Sequence, residues 1–386
     1  MSRPFRVTWI GLRGIPGIQG GVETHAEQLC PKLQARGFEL TVVARRPYLP
    51  KGSPTEYQGV RILPLWSPRN ASLEAVVHSL LATLHAGLVS RPDILHIQAI
   101  GPALATPLAR LLGLKVVVTH HGPDYDRQKW GTLAKWSLRL GERVGMRLAQ
   151  RRIVISRGIE AAVARAHRVN CDVIPNGANV AAQVPPPGAE LARLGLSARR
   201  YVVLVSRLVP EKRHLDLARA FLRANPPGWR LVFVGRADHE SDYSRQVLET
   251  AAADAKGRIV CAGFLSGATL AEVFGNAGLF VLPSSHEGLP IALLEALSYG
   301  LPVLASNIEP NVEVGLPADC YFPLGDVEAL SDALTRKISE GWTNKASDER
   351  KSFLRRHFDW ESIADQTAKV YNKVLAGSSI AGITSS

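Results

Sequence analysis

The sequence lacks paired cysteines and long apolar runs, and each absence disfavours a class of protein. Its four cysteines, Cys30, Cys171, Cys261 and Cys320, are far apart and form no C-x-x-C pair. A disulfide framework or a zinc site is therefore less expected than small buried thiols in a reduced compartment. No window holds about 18 consecutive apolar residues, and residues 1–4 lead directly into an expected strand rather than into the apolar region of a signal peptide. We expect a soluble, cytoplasmic protein that meets a membrane only peripherally.

Acidic residues are scarce in the first half of the chain. Residues 1–188 contain 24 Lys and Arg against 11 Asp and Glu, whereas the remaining residues contain 22 and 23. The net charge of +12 therefore originates in the first half. An anionic partner is expected for this half: a membrane leaflet, a lipid-phosphate acceptor or nucleic acid.

Expected buried strands alternate with helical segments twice along the 386-residue chain, which is long enough for two domains. The expected strands are 6–11, 39–44, 94–98, 116–119 and 152–155, then 201–205, 231–235, 258–260, 278–282 and 302–305. This alternation predicts an α/β fold with two Rossmann-like, doubly wound parallel sheets. We place the domains at 1–186 and 187–357, a closing helix at 358–376 and a flexible tail at 377–386.

Two carboxylates lie eight residues apart, Glu287 and Glu295, on an otherwise apolar loop and helix. Pro290 suits the first turn of a helix, which places Glu287 just before the helix and Glu295 about two turns into it. Backbone N–H groups around Gly288 and Leu289 add donors, so the segment suits a phosphate-bearing polyol. The alternative is that Glu287 caps the helix and Glu295 is a surface charge.

Two further loops follow expected strands. The glycine-rich loop 11–21 contains Gly20 and Gly21 and lets the backbone approach a phosphate at a helix N-terminus. It does not follow the G-x-G-x-x-G pattern, which disfavours a dinucleotide. Arg207 and Lys212 follow the strand 201–205, and both charges can reach one diphosphate. A flexible turn and a solvated pair of cations are the respective alternatives.

The acidic segment resembles the E-x7-E signature of retaining glycosyltransferases of family 4, and the resemblance extends over nearly the whole chain. The segment 298–306 also matches the family's helix, Gly-Pro turn and buried strand. The resemblance implies a GT-B fold, in which two Rossmann-like domains face each other across a cleft and the C-terminal helix crosses back to the first domain. The sequence of residues 10–16 resembles that of a bacterial polysaccharide subgroup that includes rhamnosyltransferases.

The resemblance also implies roles for individual residues. Glu287 approaches the donor sugar, Glu295 the ribose, and Arg207 with Lys212 the diphosphate; Arg213 stands where the family more usually has Gly. The family's T-x-H-G pattern fits Thr119, His121 and Gly122, so His121 is favoured for the donor sugar and His120 kept as second. The remaining implied donor-binding residues are Gly20, Gly21, Gly263, Phe264, Leu265, Gly288, Leu289 and Pro290. The implied catalytic residues are Glu287, His121, Arg207 and Lys212.

A basic amphipathic segment with tryptophans spans residues 125–152. Such a pattern suits the interface of an anionic leaflet, although an ordinary helix with a solvated basic face is the alternative. Its first residues resemble the polysaccharide subgroup, which places Asp124, Arg127, Lys129 and Trp130 on the acceptor side.

The sequence therefore predicts a retaining transferase that moves a sugar from a nucleotide-diphosphate sugar to a glycan or polyprenyl-diphosphate-linked acceptor, peripheral at the inner face of the cell membrane. No cofactor or metal is expected, because Arg207 and Lys212 supply the positive charge that a cation would provide. The alternatives are an epimerase or phosphorylase of the same fold, and a non-catalytic nucleic-acid-binding protein. Nucleic acid is not expected as a partner, because aromatic ladders and reader motifs are absent.

Overall fold

The computed structural model describes residues 3–49, 51–69, 73–126, 131–180, 183–237 and 240–376. The chain divides into two compact units: unit 1 comprises 1–176 and 360–386, and unit 2 comprises 177–359. The first boundary thus lies between 176 and 177 rather than between 186 and 187. The Pro-rich segment belongs to unit 2 because Glu272 Oε1 accepts from Gly188 N at 2.9 Å and Asn276 Nδ2 donates to Pro185 O at 2.8 Å.

The elements of unit 1 alternate between strand and helix. Its strands are β1 (Phe5–Ile10), β2 (Phe38–Arg45), β3 (Glu56–Tyr57), β4 (Val60–Leu65), β5 (Ile94–Gln98), β6 (Val116–His120), β7 (Arg151–Val154) and β8 (Asp172–Val173). Its first helices are α1 (Gly21–Gln34), α2 (Glu74–His85), α3 (Thr106–Leu111), α4 (Thr132–Leu148) and α5 (Arg157–His167).

Unit 2 repeats this alternation. Its strands are β9 (Tyr201–Val205), β10 (Arg230–Val234), β11 (Ile259–Gly263), β12 (Leu279–Leu282), β13 (Val303–Ser306) and β14 (Tyr321–Phe322). Its helices are α6 (Ala189–Arg193), α7 (His214–Ala224), α8 (Asp242–Ala252), α9 (Gly267–Gly275), α10 (Ile291–Ser298), α11 (Glu309–Val312), α12 (Val327–Glu340) and α13 (Asn344–His357). The last helix, α14 (Trp360–Ala376), belongs to unit 1.

Each unit contains one sheet. In the described residues of unit 1 the strand order is β3-β4-β2-β1-β5-β6-β7-β8, parallel except for the β3–β4 pair. In unit 2 the order is β11-β10-β9-β12-β13-β14, parallel throughout. The order reverses next to β1 in unit 1 and next to β9 in unit 2. Ligands of such sheets bind outside the carboxyl ends of the strands at these switch points.

Helix α14 completes the core of unit 1. It packs on α1, and its buried face includes Trp360, Ile363 and Tyr371. The Tyr371 hydroxyl accepts from Trp9 Nε1 at 3.0 Å, which ties the helix to the central strand β1. The helix begins at residue 360, two positions after the predicted start, because Phe358 remains in unit 2 and its carbonyl accepts from Ala178 N at 3.0 Å.

The described helices also bear on membrane crossing. None of them combines the length and the apolar character that a transmembrane span requires.

Candidate functional site

In unit 2, the loop after β9 carries the two predicted diphosphate ligands. Arg207 lies two residues after the last residue of β9, and Lys212 ends a 3₁₀ turn, Pro210–Lys212. Leu208 N donates to Arg236 O at 3.3 Å, and Ser206 N donates to Val234 O at 2.9 Å, so this loop is held against the end of β10. Both basic residues therefore lie at the carboxyl edge of the sheet, beside its switch point.

Arg213 adopts a conformation that explains why glycine is more usual at its position. Its φ is 51° and its ψ is 42°, the left-handed region that glycine enters without steric cost. The side chain pairs with Asp216, and Asp216 in turn pairs with Arg219 at 3.1 Å. Arg213 thus adopts a backbone conformation that is open to glycine and adds a local ion pair.

The two acidic residues lie on the loop and helix that follow β12. Pro290 is the N-cap of α10, and Leu293 N donates to its carbonyl at 3.1 Å. Glu287 therefore precedes the helix by three non-helical residues, and Glu295 is the fifth helical residue. The predicted two turns into the helix are wrong by nearly one turn, because Gly288, Leu289 and Pro290 remain outside it.

The acidic and basic segments meet at one contact. Lys212 Nζ lies 2.5 Å from Glu287 Oε1, and only 16% and 10% of the two side chains are exposed. The sequence placed these residues in two separate motifs, 75 positions apart. An ammonium group has three donors, so a lysine that donates once to a carboxylate retains donors for a phosphate oxygen.

Glu211 is a neighbour that the sequence analysis missed. Its carbonyl accepts from Ser285 N at 2.8 Å, which fastens the Lys212 turn to the loop of Glu287. Its side chain is buried, and neither carboxylate oxygen has a hydrogen-bond partner among the described residues. The available signal was its position inside the motif between Pro210 and Lys212.

The predicted base-binding turn lies at the end of β11. Gly263 has a φ of 74°, and its carbonyl accepts from Gly235 N at 2.8 Å. The guanidinium of Arg236 lies 5.2 Å from the ring centre of Phe264, a cation–π contact. The ends of β9, β10 and β11 are thereby joined, and Leu265 follows this turn.

In unit 1, the glycine-rich loop is organised by a buried ion pair. Arg13 donates from its backbone N and its Nε to Glu23 Oε1, at 3.0 and 3.1 Å, and from its Nη2 to Gln19 O at 2.6 Å. Burial alone would raise the pKa of the Glu23 carboxyl, but the charge and hydrogen bonds of Arg13 bring it below the ordinary value. Glu23 is therefore ionised at neutral pH, and the loop is fixed by a charged pair.

Gly20 and Gly21 lie at the N-terminus of α1, and Gly20 lies next to this ion pair. Gly20 is the N-cap of α1 with a φ of 148°, and Gly21 is the first helical residue. A Cβ on Gly20 would lie 2.1 Å from Glu23 Oε2 and 2.4 Å from Arg13 Nη2. The glycine is thus required by the ion pair as well as by its backbone conformation.

The two histidines at the end of β6 have different surroundings. His120 is buried; its Nε2 lies 3.0 Å from Glu142 Oε1, and its Nδ1 accepts from Gly122 N at 3.0 Å. A ring that accepts at Nδ1 is neutral and donates from Nε2 to the carboxylate. Both nitrogens of His120 are therefore engaged within unit 1.

His121 is half-buried at the same strand end. Its Nε2 lies 2.8 Å from Gln98 Oε1 at the end of β5, so the neutral ring donates from Nε2 and keeps Nδ1 as an acceptor. Burial, followed by the charges of His25, His96 and His120, holds the pKa of His121 well below its ordinary value. A neutral ring with an acceptor nitrogen suits a hydroxyl group.

The predicted acceptor side is described only in part. Asp124 begins a 3₁₀ turn, Asp124–Asp126, and its N donates to Gly122 O at 2.9 Å. Arg127, Lys129 and Trp130 lie outside the described residues. The turn is an Asp-x-Asp triplet, yet across the described chain no cluster of three or more His, Cys, Asp or Glu side chains could hold a metal.

Two family models match the chain in succession. The model described as Glycosyltransferase Family 4 matches residues 19–182, and the model described as Glycosyl transferases group 1 matches residues 192–353. The two matches together span most of the sequence, the first mainly in unit 1 and the second within unit 2. The chain belongs to the group 1, family 4 glycosyltransferases.

This glycosyltransferase is similar to proteins from several organisms. It is 26% identical to a phosphatidyl-myo-inositol mannosyltransferase of Mycobacterium leprae, over 94% of this chain and 95% of the relative. It is also 26% identical to the UDP-Gal:alpha-D-GlcNAc-diphosphoundecaprenol alpha-1,3-galactosyltransferase of Escherichia coli, over 91% and 93%. The solved sucrose-phosphate synthase of Thermosynechococcus elongatus aligns with a TM-score of 0.80 and 22% identity, over 97% and 100%.

These findings confirm the family and the fold that the sequence predicted. The protein is a GT-B glycosyltransferase with two Rossmann-like α/β domains. The roles given to single residues stay predictions.

Proposed function

We propose that this glycosyltransferase moves a sugar from a nucleoside-diphosphate sugar to a lipid-linked glycan, with retention of the anomeric configuration. The observation that carries the proposal is the meeting of Lys212 with Glu287 at the carboxyl edge of the unit 2 sheet. A phosphate-binding cation and a carboxylate suited to a sugar ring thereby stand within one hydrogen bond of each other.

The roles follow from the charges. Arg207 and Lys212 hold the diphosphate, where each charge-assisted hydrogen bond is worth about 1.5–3 kcal/mol. Glu295 on α10 accepts from ribose hydroxyls, and the Gly263 turn holds the base. Glu287 stands beside the diphosphate ligand Lys212, where its carboxylate can stabilise positive charge that develops on the sugar.

We propose that the transfer is a front-face displacement. The bond between the anomeric carbon and the diphosphate oxygen breaks, and its electron pair leaves with the nucleoside diphosphate. The acceptor hydroxyl forms the new bond on the same face and gives its proton to the departing phosphate oxygen. No protein nucleophile is required, and Arg207 with Lys212 stabilises the leaving group without a metal. His121 accepts a hydrogen bond from a sugar hydroxyl.

The acceptor is proposed from charge and from the relatives. Unit 1 contains most of the strongly basic first half of the sequence, which suits an anionic diphosphate lipid at a membrane surface. The galactosyltransferase of Escherichia coli described above acts on a diphosphoundecaprenol-linked sugar by its name. We propose the same chemical class of acceptor here, and with it a peripheral position at the cytoplasmic face of the membrane.

The exposed face of α4 supports this position. Leu133 and Trp136 are 79% and 62% exposed, and Arg139, Arg143 and Arg147 continue the same stripe along the helix. Lys135 borders this stripe one turn before Arg139, but it is only half-exposed, whereas the three arginines are exposed. Apolar anchors followed by arginines are typical of a helix that lies on an anionic leaflet.

Product analysis tests the proposed reaction. Thermal-shift titration with UDP, GDP and dTDP identifies the base first, because a ligand at 100 times its dissociation constant adds about 2.7 kcal/mol to the folded state. The matching nucleotide sugars are then incubated with a short-chain lipid-diphosphate glycan. Proton NMR of the product should show the anomeric configuration of the donor.

The control is the Glu287→Ala protein, which should bind the same nucleoside diphosphate and form little product. An inverted anomer would contradict retention. Release of free sugar with no glycosylated lipid, across lipid-linked acceptors, would contradict the acceptor class.

A further inference from the structure

His25 of α1 occupies an unusual position in unit 1. It is 3% exposed, and its Nδ1 lies 2.9 Å from Asn176 Oδ1, which accepts the hydrogen bond. Its ring lies 5.4 Å from the ring of Trp360 and 5.0 Å from that of His121, edge to face in both cases. We name His25, Asn176, Trp360 and His121 the crossing cluster.

Two members of the crossing cluster mark the points at which the chain passes between the units. Asn176 is the last residue of the first segment of unit 1, and Trp360 is the first residue of its second segment. Both side chains are buried, and both contact the one imidazole of His25. A change in the backbone path at either crossing would therefore alter a contact of this imidazole.

The same imidazole also packs against the ring of His121. Gln98 fixes the Nε2 of His121, and the edge-to-face contact with His25 limits rotation of its ring. Burial lowers the pKa of His25 to about 4, although its hydrogen bond to Asn176 acts in the opposite direction. The two rings are therefore neutral neighbours at neutral pH.

We propose that His25 is a positioning residue for His121, which it holds in the orientation set by the two chain crossings. The inference rests on the proposed contact of His121 with the donor sugar. His25 touches no substrate; it acts through the ring that does. A positioning error of about 1 Å at a substrate contact can reduce turnover by as much as 10²-fold.

Two substitutions separate the contacts of His25. His25→Asn keeps an amide donor near the position of Nδ1 and removes the ring that packs on His121. His25→Phe keeps a ring and removes the donor to Asn176. The matched control is His78→Asn, since His78 is also fully buried in unit 1, and no hydrogen bond or ring contact of the described residues joins it to the crossing cluster.

The experiment is a double-mutant cycle measured with the full-length enzyme, well below its unfolding temperature. We expect His25→Asn and His25→Phe to lower kcat by roughly 10-fold, with nucleoside diphosphate affinity unchanged because Arg207 and Lys212, the cations proposed to hold the diphosphate, lie in unit 2. His78→Asn should lower the unfolding temperature without a change of kcat. The double variant His25→Asn, His121→Asn should be no slower than His121→Asn alone.

The outcomes distinguish the inference from the function on which it rests. If His121→Asn slows the enzyme while the His25 variants behave like His78→Asn, the inference about His25 is overturned and the role of His121 stands. Multiplicative losses in the cycle would also overturn it, because His25 would then act independently. If His121→Asn keeps the parent kcat, the proposed sugar contact of His121 fails, and the inference with it.

Discussion

Gly20 shows how one residue type is dictated by two charges. Its positive φ is accessible to glycine, and the space of a Cβ is already taken by the Glu23 carboxylate and the Arg13 guanidinium. Gly17, in the same loop, also has a positive φ of 69°, but a Cβ there would meet nothing within 4 Å. A substitution at Gly17 therefore adds only backbone strain, whereas a substitution at Gly20 adds backbone strain and a steric conflict.

Gly20→Ala should destabilise unit 1 by roughly 3 kcal/mol, because the buried pair of Arg13 and Glu23 must move apart. Gly17→Ala should cost only about 1 kcal/mol, the price of the backbone conformation. Urea unfolding of both variants, followed by a transfer assay, measures the difference. Equal losses at the two positions would show that the ion pair does not constrain the loop.

Glu287 is the second residue whose role can be isolated. Glu287→Gln keeps the size of the side chain and removes its charge, so turnover should fall by about 10²-fold while nucleoside diphosphate binds as well as before. Glu328→Gln is the control, since Glu328 is an exposed carboxylate of unit 2 that pairs with Arg223. Steady-state kinetics on both variants decides the matter, and unchanged kcat in Glu287→Gln would remove this carboxylate from the reaction.

At the residue scale, local motifs were visible in the sequence and long-range contacts were not. Two short patterns can be recognised from consecutive positions of the sequence alone: the spacing of Glu287 and Glu295, and the pair Arg207 and Lys212. The contact of Lys212 with Glu287 depends on the strand order of the sheet. The bond of His25 to Asn176 spans 151 positions, and nothing near either residue indicates it.

At the scale of elements, the long buried strands were predictable and the short edge strands were not. β1, β5, β6 and β9 are predominantly apolar, and their predicted bounds agree with the structure within one residue. β3, β8 and β14 contain two residues each and lie at or next to sheet edges, so they carry no periodic pattern. β4 was missed as well, and Pro64 lies within it; proline weakens the signal of a strand.

Helix α4 provides a test of the membrane proposal. Replacing Arg139, Arg143 and Arg147 with Gln should weaken binding to anionic vesicles by up to about 3 kcal/mol, because each near-surface basic residue contributes about 1 kcal/mol. Binding of the parent should fall steeply as salt is added. Co-sedimentation with phosphatidylserine-containing and neutral vesicles measures both effects.

The matched control removes the same charge elsewhere. Arg219, Arg223 and Arg245 are exposed arginines of unit 2, and their replacement with Gln changes the net charge equally. If the two triple variants bind vesicles alike, α4 is a solvated helix and the attraction is a general effect of net charge.

At the scale of the whole molecule, buried histidines couple stability to pH. Burial, followed by the charge of Arg45, lowers the pKa of His78 to about 4; burial also lowers that of His25 to about 4 and that of His214 to about 3. The unfolded chain binds these protons near pH 6.5 and the folded chain does not. Stability from these groups is thus complete above about pH 6.5 and is lost as the pH falls towards their folded pKa values.

His78→Phe should flatten this dependence by up to about 1.4 kcal/mol per pH unit between pH 6.5 and about 4. The measurement is urea unfolding of parent and variant at several pH values, compared with His357→Phe at an exposed position. A slope in His78→Phe equal to that of the parent would show that His78 takes up its proton in the folded protein as readily as in the unfolded chain.

The division into units was the part of the whole-molecule organisation that the sequence predicted least well. A Pro-rich segment is typical of a linker, but residues 184–188 are held to unit 2 because Gly188 N donates to Glu272 and Asn276 donates to Pro185 O. The actual crossing after Asn176 follows a two-residue strand and lies in the short turn signal Pro175-Asn176-Gly177, which resembles an ordinary loop rather than a linker. Composition located the two domains, and side-chain contacts fixed where each one ends.

The central claim is that the cations after β9 bind the diphosphate of the donor. Calorimetric titration of nucleoside diphosphate and of the corresponding nucleoside into the parent, Arg207→Ala, Lys212→Ala and the control Arg219→Ala tests it most directly. We predict that Arg207→Ala and Lys212→Ala each weaken diphosphate binding by about 10-fold or more and leave nucleoside binding unchanged, because a charge-assisted bond to phosphate is lost. Arg219→Ala should match the parent. Parent-like diphosphate affinity in both variants, or an equal loss for nucleoside and diphosphate, would contradict the account.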